Sequence, residues 1–209
     1  NSPYLFGHDL WDETRIPVFE QSVAVGGFAA VAHGPLRRVG FGSGYARASL
    51  FECFEENLAH FPILLPMVGD SAPERLEHLR LHNGTIWRWN RPLIGFDDDG
   101  TPHLRIEHRV VPAGPTLVDA IANAAFFFGL MQGLGSGEVA PSLLLPFPVA
   151  RDNFHAAARD GLDAHIHWLH DRHGRLQTLI LRDLLPLAQR GLEQLDIDSA
   201  DAERFLGVI

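Results

Sequence analysis

Three charged residues at alternate positions, Arg105, Glu107 and Arg109, are the clearest candidates for chemistry in this sequence. In an extended strand, alternate side chains stand about 6.6 Å apart on one face, so the stripe sets a carboxylate between two guanidiniums. Such a carboxylate can hold a divalent cation while the guanidiniums hold phosphate. The same stripe can equally be a solvent-facing ladder of salt bridges. The segment Thr85–Arg91 adds Arg88 and Arg91, with Trp87 and Trp89 for packing or base stacking. If Asp99-Gly100 makes a two-residue turn, Asn90 faces Arg109 and Arg88 joins the polar face. A one-residue bulge brings Arg91 there instead.

Other candidates carry less. His165, His167, His170 and His173 have spacings that can ligate zinc, but no HExxH-type acidic partner accompanies them, and Asp171-Arg172-His173-Gly174 reads as an exposed turn. Asp97-Asp98-Asp99-Gly100 lacks the bidentate glutamate of a calcium loop and reads as a hairpin turn. Gly40-Phe41-Gly42-Ser43-Gly44 could cradle phosphate, yet no lysine follows it, and a flexible turn is the simpler reading. Cys53, the single cysteine, lies inside a helical pattern and reads as a packing residue, with no disulfide or Cys-rich zinc site available.

Composition bounds the function. The chain has 209 residues, and all 17 basic ones are arginine against 26 acidic ones, a formal charge of −9. Without lysine there is no P-loop, no Schiff base and no kinase-type β3 lysine. Anions must be held by arginine, histidine or helix N-termini. A net acidic chain has no electrostatic reason to seek nucleic acid or anionic lipid. The apolar run Ala120–Leu134 is shorter than a bilayer requires, and no charged-then-apolar leader precedes it. The expectation is a soluble, cytoplasmic chain with neither nucleic acid nor membrane as partner.

Elements must position these groups. Leu50, Phe51, Phe54, Leu58 and Phe61 recur at helical spacing over 46–61, with Glu52, Glu55 and Glu56 outside. A short helix near 73–81 follows, then strands 85–91 and 103–111, the second alternating Leu104, Ile106, His108 and Val110 against the charged stripe. Thr116 with Asp119 forms a capping box opening a helix to about Gln132, apolar nearly all round and so expected to be buried between layers. Further helices are predicted at 151–160, 176–191 and 199–206. The class is α+β, helix-rich, with a small antiparallel sheet. Two strands alone are marginal in water, which suggests that the chain holds only part of a sheet.

The stretch His82 to Pro92, followed by Arg105-Ile106-Glu107-His108-Arg109, resembles the later half of the glutamate–cysteine ligase family 2, a group of carboxylate–amine ligases related to glutamine synthetase. The order is Arg91-Pro92, Glu107-x-Arg109, a turn at 112–115, then the apolar helix. Asn1-Ser2-Pro3-Tyr4 is similar to the family's Asn-Ser-Pro-aromatic loop, and Asp201 to Gly207 resembles its C-terminal segment. The resemblance covers nearly the whole chain through the order and spacing of its motifs. It implies a glutamine-synthetase-like active sheet, ATP and Mg²⁺ as cofactors, and glutamate and an amine as substrates. By motif position Glu107 is the metal ligand, and Arg109 and Arg91 are catalytic anion clamps. Asn1, Ser2, Arg15, Arg88 and Arg105 are substrate-binding. The family's Glu-x-Glu strands are absent, and Trp89 stands where an acidic residue is usual. Residues 1–209 are therefore expected to be a single domain forming the C-terminal part of a longer catalytic domain, inactive without its N-terminal part. Oligomeric state is open, a homo-oligomer included. The rival from another class is a non-catalytic binding or structural module that retains the fold.

Overall fold

In a computed structural model covering residues 3–23, 26–31, 34–112 and 114–209, the chain is 51% helical and 16% strand with small, mostly antiparallel sheets, the α+β class expected. It forms two compact units, Ile16–Val110 and, on either side of it in sequence, the residues up to Arg15 with Val111–Ile209. Asn1 and Ser2 lie outside the described residues.

The flanking unit opens with a small hairpin, β1 (Tyr4–Leu5) with β2 (His8–Asp9). Glu13 N–H then donates to Ala158 O at 2.8 Å. Helix α1 (Arg15–Ser22) starts at the last residue of the flanking segment and carries the chain into the central unit, which continues through the hairpin β3 (Gly26–Val31) and β4 (Gly34–Arg37) to β5 (Val39–Gly40) and reaches α2 (Phe51–His60). The helix expected from 46 starts at Phe51 because the Glu52 carboxylate accepts the backbone N–H groups of Arg47, Ala48 and Ser49. Those bonds wrap residues 47–49 into a turn and hold the Glu52 carboxyl below its usual range. Phe54 and Phe61 are buried, but Phe51 and Leu58 face solvent.

After α3 (Glu77–Gly84), β6 (Trp87–Arg88) runs parallel to β5, and β7 (Asn90–Phe96) pairs antiparallel with β8 (Pro102–His108). The turn between them has three residues at its tip. Gly100 N–H donates to Asp97 O at 2.9 Å, and Gly100 takes a φ of +87°. A type I turn closed by a left-handed glycine is the usual three-residue hairpin. It sets Arg91 opposite Glu107 and Asn90 opposite His108, so the bulged alternative holds. The two-residue turn, and with it Arg88 on the polar face, does not.

In the remainder of the flanking unit, α4 (Leu117–Gly135) carries the expected capping box, with Thr116 N–H donating to Asp119 Oδ2 at 3.0 Å. It is followed by α5 (Pro141–Leu144), α6 (Phe147–Asp160), the hairpin β9 (His165–Trp168) with β10 (Arg172–Arg175), α7 (Leu176–Leu179), α8 (Leu185–Gln194) and α9 (Ser199–Leu206). A π-turn at Ile180–Leu184 joins α7 to α8, ahead of Pro186, which has no N–H for a regular ladder. Segment 172–174, expected as turn, is strand; the turn proper is 169–171.

Two expectations about α4 are corrected. The helix extends past both ends of the apolar run to 19 residues and is long and apolar enough to cross a membrane by length and composition. It is not buried between layers: Phe128 is 58% and Met131 57% exposed. Among the described residues Phe126 and Leu130 reach the cluster of Ala164, Ile166, Leu179 and Leu184, and α8 and α9 cover one face. There the chains meet backbone to backbone, since a Cβ on Gly191 would overlap Gly129 O, and one on Gly133 would lie 2.8 Å from Leu187 O. Ala188, Leu192, Ala202 and Leu206 pack beside this crossing with Ala125 and Phe126.

Gly191→Ala is expected to lower stability by about 2–3 kcal/mol, because the added methyl must push two helices apart. Gly135→Ala, with open space around it, is expected to be neutral or to stabilise by up to about 1 kcal/mol. Urea unfolding of both variants checks the contrast.

Candidate functional site

The register of β7 and β8 gathers the charged stripe. Arg91 approaches Glu107 Oε2 through Nε at 3.0 Å and Nη2 at 2.8 Å, and Arg109 Nε reaches the same oxygen at 2.9 Å. The Arg109 guanidinium lies 3.7 Å from the ring centre of Trp87, which rests against Phe19 at 4.3 Å. Arg109 N–H also donates to Trp89 O at 2.9 Å, continuing the ladder beyond β8. Partial burial pushes the Glu107 carboxyl up, but the charges of Arg91 and Arg109 and their hydrogen bonds outweigh it and hold it below its usual range. Arg105 lies opposite Leu93 and contacts His103 at 3.2 Å. It shares the face of Glu107 but stands one step toward the exposed end.

Arg88 goes elsewhere. It is 3% exposed, and its Nη2 donates to Glu56 Oε1 at 2.5 Å and Asn57 Oδ1 at 3.0 Å. Glu56, expected on the outside of its helix, is turned inward. Its other oxygen accepts from Ser43 N–H at 2.9 Å. Asn57 Nδ2 donates to Asn83 Oδ1 at 3.1 Å, and Asn83 Nδ2 to Pro92 O at 2.9 Å. Gly42, at φ +90°, lets the loop lie against this pair, since a Cβ there would be 2.6 Å from Glu56 Oε1. The glycine-rich segment is thus a close-approach turn. Burial lowers the Arg88 guanidinium from its ordinary value, with Glu56 opposing the change, and burial pushes the Cys53 thiol up despite Arg88. A thiol so placed is a packing group.

The remaining candidates lie in the flanking unit. Arg15 belongs to the flanking unit, 3.8 Å from Glu13. His167 and His173 face each other across β9–β10 with ring centres 5.9 Å apart. Among the described residues no group of three or more His, Cys, Asp or Glu side chains is placed to hold a metal ion, which removes support for the histidine site. Glu107 can serve as one carboxylate of a Mg²⁺ site, because Mg²⁺ is commonly held by one or two carboxylates together with substrate phosphates and water. What the sheet face offers by itself is a carboxylate held by two guanidiniums that can turn to an incoming anion.

No family model matches the chain, and no curated protein or solved structure matches it.

Two outcomes follow from this geometry. Glu107 has a depressed carboxyl in the folded state, so its contribution to stability is complete above its ordinary value of about 4.5 and is lost as pH falls below that. The stability difference between the wild type and Glu107→Gln is expected to be constant above about pH 5 and to shrink in acid, read by denaturant unfolding at each pH. Arg88→Met strands the Glu56 carboxylate and is expected to cost about 3–5 kcal/mol, much of it restored by pairing Arg88→Met with Glu56→Leu.

Proposed function

We propose that the chain forms part of an ATP-dependent carboxylate–amine ligase of the glutamate–cysteine ligase family 2 type, its central unit contributing to a glutamine-synthetase-like active sheet. The observation that carries this reading is the meeting of Arg91 and Arg109 on Glu107 across one face of β7 and β8. In this reaction the γ-carboxylate of glutamate attacks the γ-phosphorus of ATP. The bond to the β,γ-bridging oxygen breaks, and ADP leaves. An amine then attacks the acyl phosphate carbon, phosphate departs with the electron pair, the nitrogen loses a proton, and an amide remains.

Little covalent chemistry falls to the protein; its work is positioning and charge neutralisation. Glu107 provides one carboxylate oxygen toward Mg²⁺, which neutralises the phosphate oxygens when bound. Arg109 and Arg91 exchange their contact with Glu107 for the transferring phosphate. Trp87 beneath Arg109 keeps that guanidinium's plane fixed during the exchange. Arg105 suits a substrate carboxylate at the outer end of the face. Arg88, engaged by Glu56, positions β6 and β7 and does not touch substrate. Asn1, Ser2 and Arg15 keep the substrate-loop role that the resemblance implies. The further metal ligands come from Glu-x-Glu strands, which this sequence lacks, so turnover belongs to the protein that includes them, acting as a cytoplasmic enzyme.

A second reading has an observation of its own. Glu107 is already paired within the sheet, as the salt-bridge ladder of a non-catalytic module would be.

Phosphate release from Mg·ATP, measured on full-length protein with glutamate and a panel of amines, separates the two. The ligase is expected to release phosphate only when both co-substrates are present. Glu107→Gln is expected to reduce release by about 10³-fold with circular dichroism unchanged. A well-folded full-length protein that releases none with any pair is the non-catalytic module. Wild-type turnover by Glu107→Gln would remove the metal role.

A further inference from the structure

Within the flanking unit, the hairpin β9–β10 and the helix that follows it line an open cavity of about 350 Å³. Ile166, Trp168 and Leu179 supply an apolar wall. The charges around it divide into two kinds. Arg172 is paired with Asp183 at 2.5 Å, and Arg175 is paired with Asp163, so those charges cancel locally. Arg182 and Asp171, both exposed, also line the cavity beside the His173 imidazole, which faces His167; among the described residues neither has an ion-pair or hydrogen-bonding side-chain partner, nor do they pair with each other.

The backbone places both. Asp171 follows His170 in a turn where the two successive residues take positive φ, 55° and 59°, which bends β10 back beside the cavity. Arg182 sits in the π-turn Ile180–Leu184. Such a turn inserts a residue into the helical repeat and re-aims side chains, and it recurs at functional sites.

A cavity with one uncancelled cation and one uncancelled anion is matched by a ligand carrying both charges. A simple anion on Arg182 would face Asp171, and a simple cation on Asp171 would face Arg182. We propose that this cavity binds a small apolar α-amino acid, its carboxylate on Arg182, its ammonium on Asp171 and its side chain against Trp168, Ile166 and Leu179. The site goes beyond the ligase reading and uses none of Arg91, Glu107 or Arg109.

The test is calorimetric titration of the protein with L-phenylalanine, 3-phenylpropionate and phenethylamine, repeated on Arg182→Gln and Asp171→Asn. Asparagine tolerates the left-handed backbone at 171, so that variant keeps the turn. L-phenylalanine is expected to bind saturably. Each singly charged analogue is expected to bind about tenfold or more weakly, as is L-phenylalanine to either variant. Neither substitution is expected to move the melting temperature, because neither side chain has a partner to lose. Saturable L-phenylalanine binding that shifts the Trp168 emission, with the shift lost in Trp168→Phe, locates the site. No saturable binding, equal binding of the three compounds, or unchanged affinity in both variants would overturn the proposal.

Discussion

A guanidinium withdrawn from water must have its N–H groups met inside the protein; in the central unit Arg38 is met by the oxygens of Thr85 and Pro62, and Arg88 by a carboxylate. Desolvating an ion is costly unless its geometry and hydrogen bonds are well satisfied, so the elements around Arg88 are fixed by what they must deliver. Helix α2 turns Glu56 and Asn57 inward. The loop at Gly42 and Ser43 closes on the far side of the carboxylate. Asn83 carries the chain of hydrogen bonds from Asn57 to the carbonyl of Pro92. That last bond holds β7 beside Arg91, so the interior ion pair and the Arg91–Glu107–Arg109 face belong to one connected construction.

The flanking unit is held by a different principle. Where α4 crosses α8, glycine removes the side chains and the two backbones touch. The crossing is steric and contains almost no polar chemistry, apart from Gln132 and Ser136, which reach Gln194 at 3.2 and 2.7 Å. Dispersion at such close approach is favourable and falls steeply with separation. At these two places one unit relies on paired charge and the other on shape.

Features written over a few neighbouring residues were legible in the sequence. Thr116 and Asp119 announce their helix, Ser199–Leu206 forms where its periodicity predicts, and the alternation around Glu107 marks β8. Glu56 is not legible in this way, because a carboxylate at a solvent-looking helical position gives no local sign of a partner, and Arg88 lies 32 residues away. The environment of α4 is hidden for a related reason. An apolar circumference predicts burial on all sides, whereas α8 and α9 cover one face. A signal for that face was available in Gly129 and Gly133, four residues apart, but not the identity of what would meet them. The register of β7 and β8 needed the turn length, which Asp-Gly alone left open.

The turn at Asp97–Thr101 stores information as a count. Because strand side chains alternate with a period of two, removing one residue from the tip and re-forming a three-residue turn would slide β8 by one position and exchange its faces. His108 would then stand opposite Arg91, with Leu104 and Ile106 turned to where Arg105 and Glu107 now lie, although no residue in either strand had changed. For this sheet a change of loop length is a more drastic event than most substitutions. The spacing between the two strands is as much a part of the ionic face as the residues that form it.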